Sequence, residues 1–71
     1  MIDVASVVTG SVWKIERAVG DRLEPGDVIM ILESMKMEIP VIAEDGGVLR
    51  ELRVVEGVPV SEGQVVAVVE E

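Results

Sequence analysis

Cysteine and histidine are both absent from this chain of 71 residues, as are phenylalanine and tyrosine, and a single tryptophan is the only aromatic. Without cysteine there is no disulfide and no thiolate metal site to brace the fold. Without histidine the commonest metal ligand and the commonest general base at neutral pH are missing. Much catalytic chemistry is therefore excluded before any motif is read. Basic residues are scarce as well, six against fourteen acids, for a net charge of −8. A phosphate backbone wants a basic face, so nucleic acid is not an expected partner, and an anionic membrane surface is disfavoured for the same reason. The acidity serves solubility first, with steering towards a basic partner as the functional alternative. No apolar run approaches the roughly 18 residues that suggest a membrane span. No basic-then-apolar stretch marks a secretory leader, and the missing cysteine is compatible with an intracellular, cytoplasmic location. The length predicts a single domain over residues 1–71, which hides only about 60% of the surface its unfolded chain exposes.

Valine and isoleucine dominate what is present. Short apolar or mixed runs occur at Val7–Val8, Val28–Leu32, Ile39–Ile42, Val48–Leu52 and Val65–Val69. Pro25-Gly26-Asp27, Asp45-Gly46-Gly47 and Gly57-Val58-Pro59 punctuate them. Short β-rich runs between turn residues predict an all-β domain. Nothing supports a long helix, because the stretch Lys36–Pro40 has no cap and soon meets proline.

A shift of 37 residues superposes the sequence on itself. Gly10 falls on Gly47, Gly20 on Gly57 and Gly26 on Gly63, while Val12 meets Leu49, Ile15 meets Leu52, Leu23 meets Val60 and Val28 meets Val65. Two copies of a strand unit, neither able to bury its apolar face alone, predict two sheets packed about an approximate two-fold axis. The three-residue step from Val12 to Ile15, repeated from Leu49 to Leu52, predicts a bulge at the same place in each half. The symmetry predicts that Val28 with Val65, Ile15 with Leu52, and Leu32 with Val69 are buried in pairs. It also puts the turn around Lys36 at the far end of the domain from both termini.

The strongest local signal is Glu33-Ser34-Met35-Lys36-Met37-Glu38. It lies between two apolar runs and so reads as a hairpin tip, with Met35 and Met37 partly exposed. A solvated turn lysine beside two gap-filling methionines is the bland alternative. The pattern resembles the biotinyl/lipoyl attachment domain family, and the biotin carriers in particular, whose signature is a lysine between two methionines, usually Ala-Met-Lys-Met preceded by Glu. Ile39-Pro40-Val41, Gly10-Ser11-Val12-Trp13-Lys14-Ile15, the stretch from Gly20 to Asp27, and Gly57 to Gly63 with the Val65–Val69 run also look like that family, so the resemblance covers essentially the whole chain. Ser34 departs from the usual Ala, and Ser6-Val7-Val8-Thr9-Gly10 stands where Ala-Pro-Met-Pro-Gly is common. Arg17 stands where its repeat mate Val54 suggests an apolar residue. The four residues Glu16–Val19 leave no room for the protruding segment that some carriers have.

The resemblance implies a flattened β-barrel of two four-stranded antiparallel sheets with internal two-fold symmetry. It implies a non-catalytic carrier whose Lys36 is joined covalently to biotin, with Glu33, Ser34, Met35, Met37 and Glu38 as the recognition flank. A carrier contributes position while the group it bears contributes chemistry. At pH 7 only roughly one free lysine amine in two thousand is neutral, so a biotin protein ligase is the expected source of deprotonation and of the activated acyl donor. A biotin carboxylase would then load a carboxyl group and a carboxyltransferase would unload it. Lysine and the biotin tail form an arm of about 12 Å, which lets one tethered group visit two active sites at high effective concentration. Two alternatives stay open: a lipoyl carrier, whose usual Asp-Lys-Ala tip is absent here, and an unmodified β-domain used for interaction.

The other candidates read more plainly. Lys14 is a strand-surface charge, and Trp13 is a half-buried strand aromatic, with a partner anchor as its alternative. Gly20, Gly26, Gly57 and Gly63 are turn formers. Asp21, Asp27 and Asp45 are turn residues that cap backbone groups, with no metal site implied.

Overall fold

Eight strands and no helix form the computed structural model, which describes residues Met1–Glu71. In chain order they are β1 (Ile2–Ala5), β2 (Gly10–Ile15), β3 (Arg22–Leu23), β4 (Val28–Ser34), β5 (Met37–Ile42), β6 (Gly47–Leu52), β7 (Pro59–Val60) and β8 (Val65–Glu70). They pair antiparallel into two four-stranded sheets, ordered β1-β8-β6-β3 and β5-β4-β2-β7. The all-β architecture of two four-stranded sheets is thus the one expected.

The 37-residue shift maps one sheet onto the other strand by strand: β5 onto β1, β4 onto β8, β2 onto β6, β7 onto β3. Register follows, with Leu32 opposite Ile39 in one sheet and Val69 opposite Ile2 in the other. The anticipated bulges are present. Between Val12 and Lys14 the pairing with β4 slips by one residue, and between Leu49 and Glu51 the pairing with β8 slips in the same way. The extra residues are Trp13 and Arg50. A second symmetric pair of bulges was not expected: Ile29 is extra in β4 and Val66 in β8.

Turns repeat as well. Gly26 (φ 93°) and Gly63 (φ 88°) take left-handed conformations that side chains disfavour. Their N–H groups donate to the Ala43 and Ser6 carbonyls, at 2.7 and 2.8 Å. Asp27 Oδ2 accepts from the Glu24 N–H at 2.8 Å, and at its repeat mate Gln64 Oε1 accepts from the Ser61 N–H at 2.9 Å. Asp21 Oδ2 caps the Ala18 N–H at 2.9 Å. Asp45 lies exposed in a bend and caps no backbone group, contrary to expectation.

The inward faces of both sheets supply one core that includes Val12, Leu23, Ile29, Met30, Leu32, Leu49, Val60, Val66 and Val69. Leu32 and Val69 are buried as a pair, as expected. Val28, Val65, Ile15 and Leu52 are not: all four are only half-buried. Ile15 and Leu52 are the last residues of β2 and β6 and pack against the core from its edge; for the two valines the bulges are the reason. Each extra residue breaks the two-residue alternation, so Ile29 with Met30, and Val66 with Ala67, turn inward together at 0% exposure. The preceding valines are left at the rim. Two further expectations are corrected. Val7–Val8 is not a strand but part of the connection from β1 to β2, and Val7 is exposed. Pro59, expected in a turn, opens the short strand β7. Arg17 is half-buried with its guanidinium 3.7 Å from the Asp27 carboxylate, whereas Val54 is buried.

The β4–β5 hairpin stands upright in this frame. Its base, Asp27 and Ala43, is hydrogen-bonded to the turn at Gly26. Beside that base, Gly46 abuts the Leu23 carbonyl, Leu23 pairs with Gly47, and Gly47 lies against the Glu70 carbonyl. Glu70 and Ile2 are therefore gathered at the base of the hairpin, and its tip is at the opposite end of β4 and β5 from both termini.

Candidate functional site

At the tip, Ser34 pairs with Met37, and two residues, Met35 (φ 51°) and Lys36 (φ 66°), make the turn. Two successive positive φ values define a type I′ turn, which matches the right-handed twist of the flanking strands and ordinarily calls for Asn-Gly. The left-handed region costs a residue with a β-carbon about 1–2 kcal/mol. The tightest turn of this hairpin thus carries Met and Lys where other residues would fold better. Strain of this kind persists where the side chains serve another purpose.

Those side chains are presented to solvent. Met37 is 62% exposed, the partial exposure anticipated, and Met35 is 92% exposed, well beyond it, because it occupies the turn itself. Lys36 is exposed too, and no carboxylate lies within 4.0 Å of its amine. Glu33 and Glu38 sit directly opposite each other across the hairpin, exposed and unpaired with any cation. Like charges in that register oppose pairing, so the acid pair is a second local cost at the same place.

The base of the tip is tied down by Ser34, already singled out, and by partners that sequence reasoning did not assign to the site. Ser34 Oγ donates to the Thr9 carbonyl at 2.9 Å, and the Glu62 N–H donates to Thr9 Oγ1 at 3.0 Å. A β-carbon on Gly10 would land on the Glu33 carbonyl oxygen. The 37-residue repeat flags Gly10, yet it says nothing of the carbonyl it meets, which belongs to a neighbouring strand far away in sequence. Thr9 and Glu62 carry no signal in the sequence.

Lys14 stands elsewhere in a different setting, with its amine 3.7 Å from the Glu16 carboxylate on the outer surface of β2. Trp13 beside it is 50% exposed, which agrees with a half-buried strand aromatic. A covalent arm on a lysine needs an amine free of ion pairs, an unobstructed approach and a rigid base. Lys36 is exposed, its amine is free of ion pairs and the base of its turn is hydrogen-bonded, so the residues present fit such a group.

Comparison with known proteins identifies the family. The family described as biotin-requiring enzyme, which covers biotin and lipoyl attachment, matches residues 1–69. The chain belongs to the biotin/lipoyl attachment domain family, a class of carrier domains. It is 44% identical over 62 residues to a biotin/lipoyl attachment protein of Bacillus subtilis, covering 87% of this chain and 85% of that one. A biotinylated protein TB7.3 homolog of Mycobacterium leprae is 39% identical over 67 residues, covering 94% of each chain. Among solved structures, the Kluyveromyces lactis urea carboxylase contains a region that matches with a TM-score of 0.93 and 38% identity. That match covers 97% of this chain and 6% of the carboxylase.

Proposed function

We propose that this chain is a biotin carboxyl carrier and that Lys36 is its attachment residue. The observation that carries the proposal is the strained Met35-Lys36 turn, which holds an exposed, unpaired amine at the end of the molecule remote from both termini. A biotin protein ligase joins biotin to that amine through an amide, and Met35 and Met37 offer the ligase apolar contact on either side. Bound biotin supplies a ring nitrogen able to hold a carboxyl group. The chain itself contributes position: β4 and β5 hold the arm clear of the barrel, so that it reaches first a biotin carboxylase and then a carboxyltransferase. The biotinylated relative and the carboxylase with the matching region support biotin as the group and a carboxylase system as the setting. The absence of histidine and cysteine agrees with a carrier that leaves catalysis to its partners.

The test is expression with a biotin ligase, followed by intact mass and streptavidin detection. Wild type and Lys14→Arg gain the mass of one biotin, while Lys36→Arg gains none. Labelling that persists in Lys36→Arg overturns the site. A native protein carrying lipoate, or nothing, overturns the choice of group.

A further inference from the structure

We propose that Thr9 is a positioning residue for the lysine turn: with Ser34 and the Glu62 backbone it forms a hydrogen-bonded tie that keeps the Met35-Lys36 turn in the conformation a modifying enzyme takes up. The inference rests on Lys36 being the attachment residue. The tie has two links, Ser34 Oγ–H to the Thr9 carbonyl and the Glu62 N–H to Thr9 Oγ1. It joins the hairpin to the turn between β7 and β8, which the hairpin does not otherwise pair with.

The two-fold symmetry supplies the control. Shifted by 37 residues, Gly10 becomes Gly47 and Glu33 becomes Glu70, and the close approach of glycine to carbonyl is present in both halves. That approach is a requirement of the fold. Under the same shift Thr9 becomes Gly46, which has no hydroxyl, and Glu62 becomes Pro25, which has no N–H. Ser34 becomes Glu71, the last residue and exposed. Neither link of the tie can form at the terminal end, yet the sheet there is built in the same register. The strand pairing at the terminal end is therefore built with no such tie, and the tie is found only beside the turn with two positive φ values. A turn that strained needs its surroundings to specify it. If the tie is cut, the turn samples other conformers, and an enzyme that accepts one of them sees its apparent affinity fall by the competent fraction.

The experiment uses the full chain with a biotin ligase and compares Thr9→Val, Ser34→Ala and Thr9→Ser with wild type. Thr9→Val keeps the shape and removes the acceptor, and Thr9→Ser keeps the hydroxyl. The expected result is a rise in KM for the carrier of about three- to tenfold in Thr9→Val and Ser34→Ala, with kcat within about twofold. Thr9→Ser should return KM to near the wild-type value. Amide exchange, which needs no ligase, should quicken by a similar factor at residues 35–37 and stay unchanged at residues 47–49. Unaltered KM and unaltered exchange in both variants overturn the proposal. Faster exchange at both ends also overturns it, because the tie would then only stabilise the barrel. Should wild type itself fail to be biotinylated at Lys36, the attachment assignment falls, while the exchange measurement still decides whether the tie holds the turn.

Discussion

The end of the molecule that bears Lys36 and the end that gathers the termini are built from equivalent strands in equivalent register, and they differ in almost everything that is not backbone pairing. Both ends have a glycine pressed on a carbonyl, Gly10 on Glu33 and Gly47 on Glu70. Both have a bulge residue three positions further along. At the terminal end the bulge residue is Arg50, ion-paired with Glu70. At the tip end it is Trp13, with no such partner, and Glu33 faces Glu38 instead of a cation. What the two ends share is therefore the requirement of the fold. What only the tip has, the strained turn, the facing acids, the bare amine and the Thr9 tie, is a set of costs or additions that the barrel does without at its other end.

The comparison is most severely tested where the ends should agree. Gly10→Ala and Gly47→Ala each force a β-carbon onto a backbone carbonyl that cannot rotate away. Each should cost about 3 kcal/mol or more, at or beyond the upper end of the usual overpacking range. In a domain this small that is a large share of the total stability. Urea melts of the two variants should show losses of the same size. A large loss in one and none in the other would break the equivalence of the halves.

Val28→Ala and Val65→Ala test the agreement more finely. Both side chains are half-buried at the start of a bulged strand. Each truncation should destabilise by about 1 kcal/mol, below the cost of emptying a fully buried site, and the two values should match within about 0.5 kcal/mol. Both variants should be biotinylated at the wild-type rate, since neither residue is near the tip.

The smallest effect is expected where the ends differ, and it has the opposite sign. Met35→Asn places in the left-handed region a residue that tolerates it. Melting should show a gain of about 0.5–1 kcal/mol, while ligase kinetics show slower biotinylation through loss of the methionine. A variant no more stable than wild type would mean that the positive φ at Met35 carries little strain.

Much of the frame was legible before any coordinates. The aligned glycines announced two equivalent halves, and the three-residue apolar steps at Val12–Ile15 and Leu49–Leu52 located one pair of bulges. They did so because Val12 and Ile15, like Leu49 and Leu52, stand three residues apart with a charged residue between them, where a strand calls for a step of two, so the extra residue leaves a visible trace. The bulges at Ile29 and Val66 left no such trace. Val28–Leu32 and Val65–Val69 are unbroken apolar runs, in which an inserted residue changes nothing that can be counted. That is why Val28 and Val65 were expected in the core and lie at its rim. The strand Ile2–Ala5 was missed for a related reason, since Asp3 on an exposed edge interrupts its short apolar signal. The two-residue strands β3 and β7 are too short to show any period.

For the site, the six residues from Glu33 to Glu38 were readable as a hairpin tip because turn and strands are local and adjacent in the chain. By itself the sequence determined that the domain is all-β, that its halves are related by a 37-residue shift, and that Lys36 stands on a hairpin between two methionines. Local composition and spacing suffice for those conclusions, since they concern residues close together or related by one repeat. The tertiary structure alone decided that Met35 and Lys36 both adopt positive φ, that Glu33 faces Glu38 while Gly10 abuts the Glu33 carbonyl, and that Thr9 and Glu62 close on Ser34. Thr9, Ser34 and Glu62 are scattered along the chain and carry no common pattern; they meet only because the register of β2 between β4 and β7 brings their backbones within hydrogen-bonding reach.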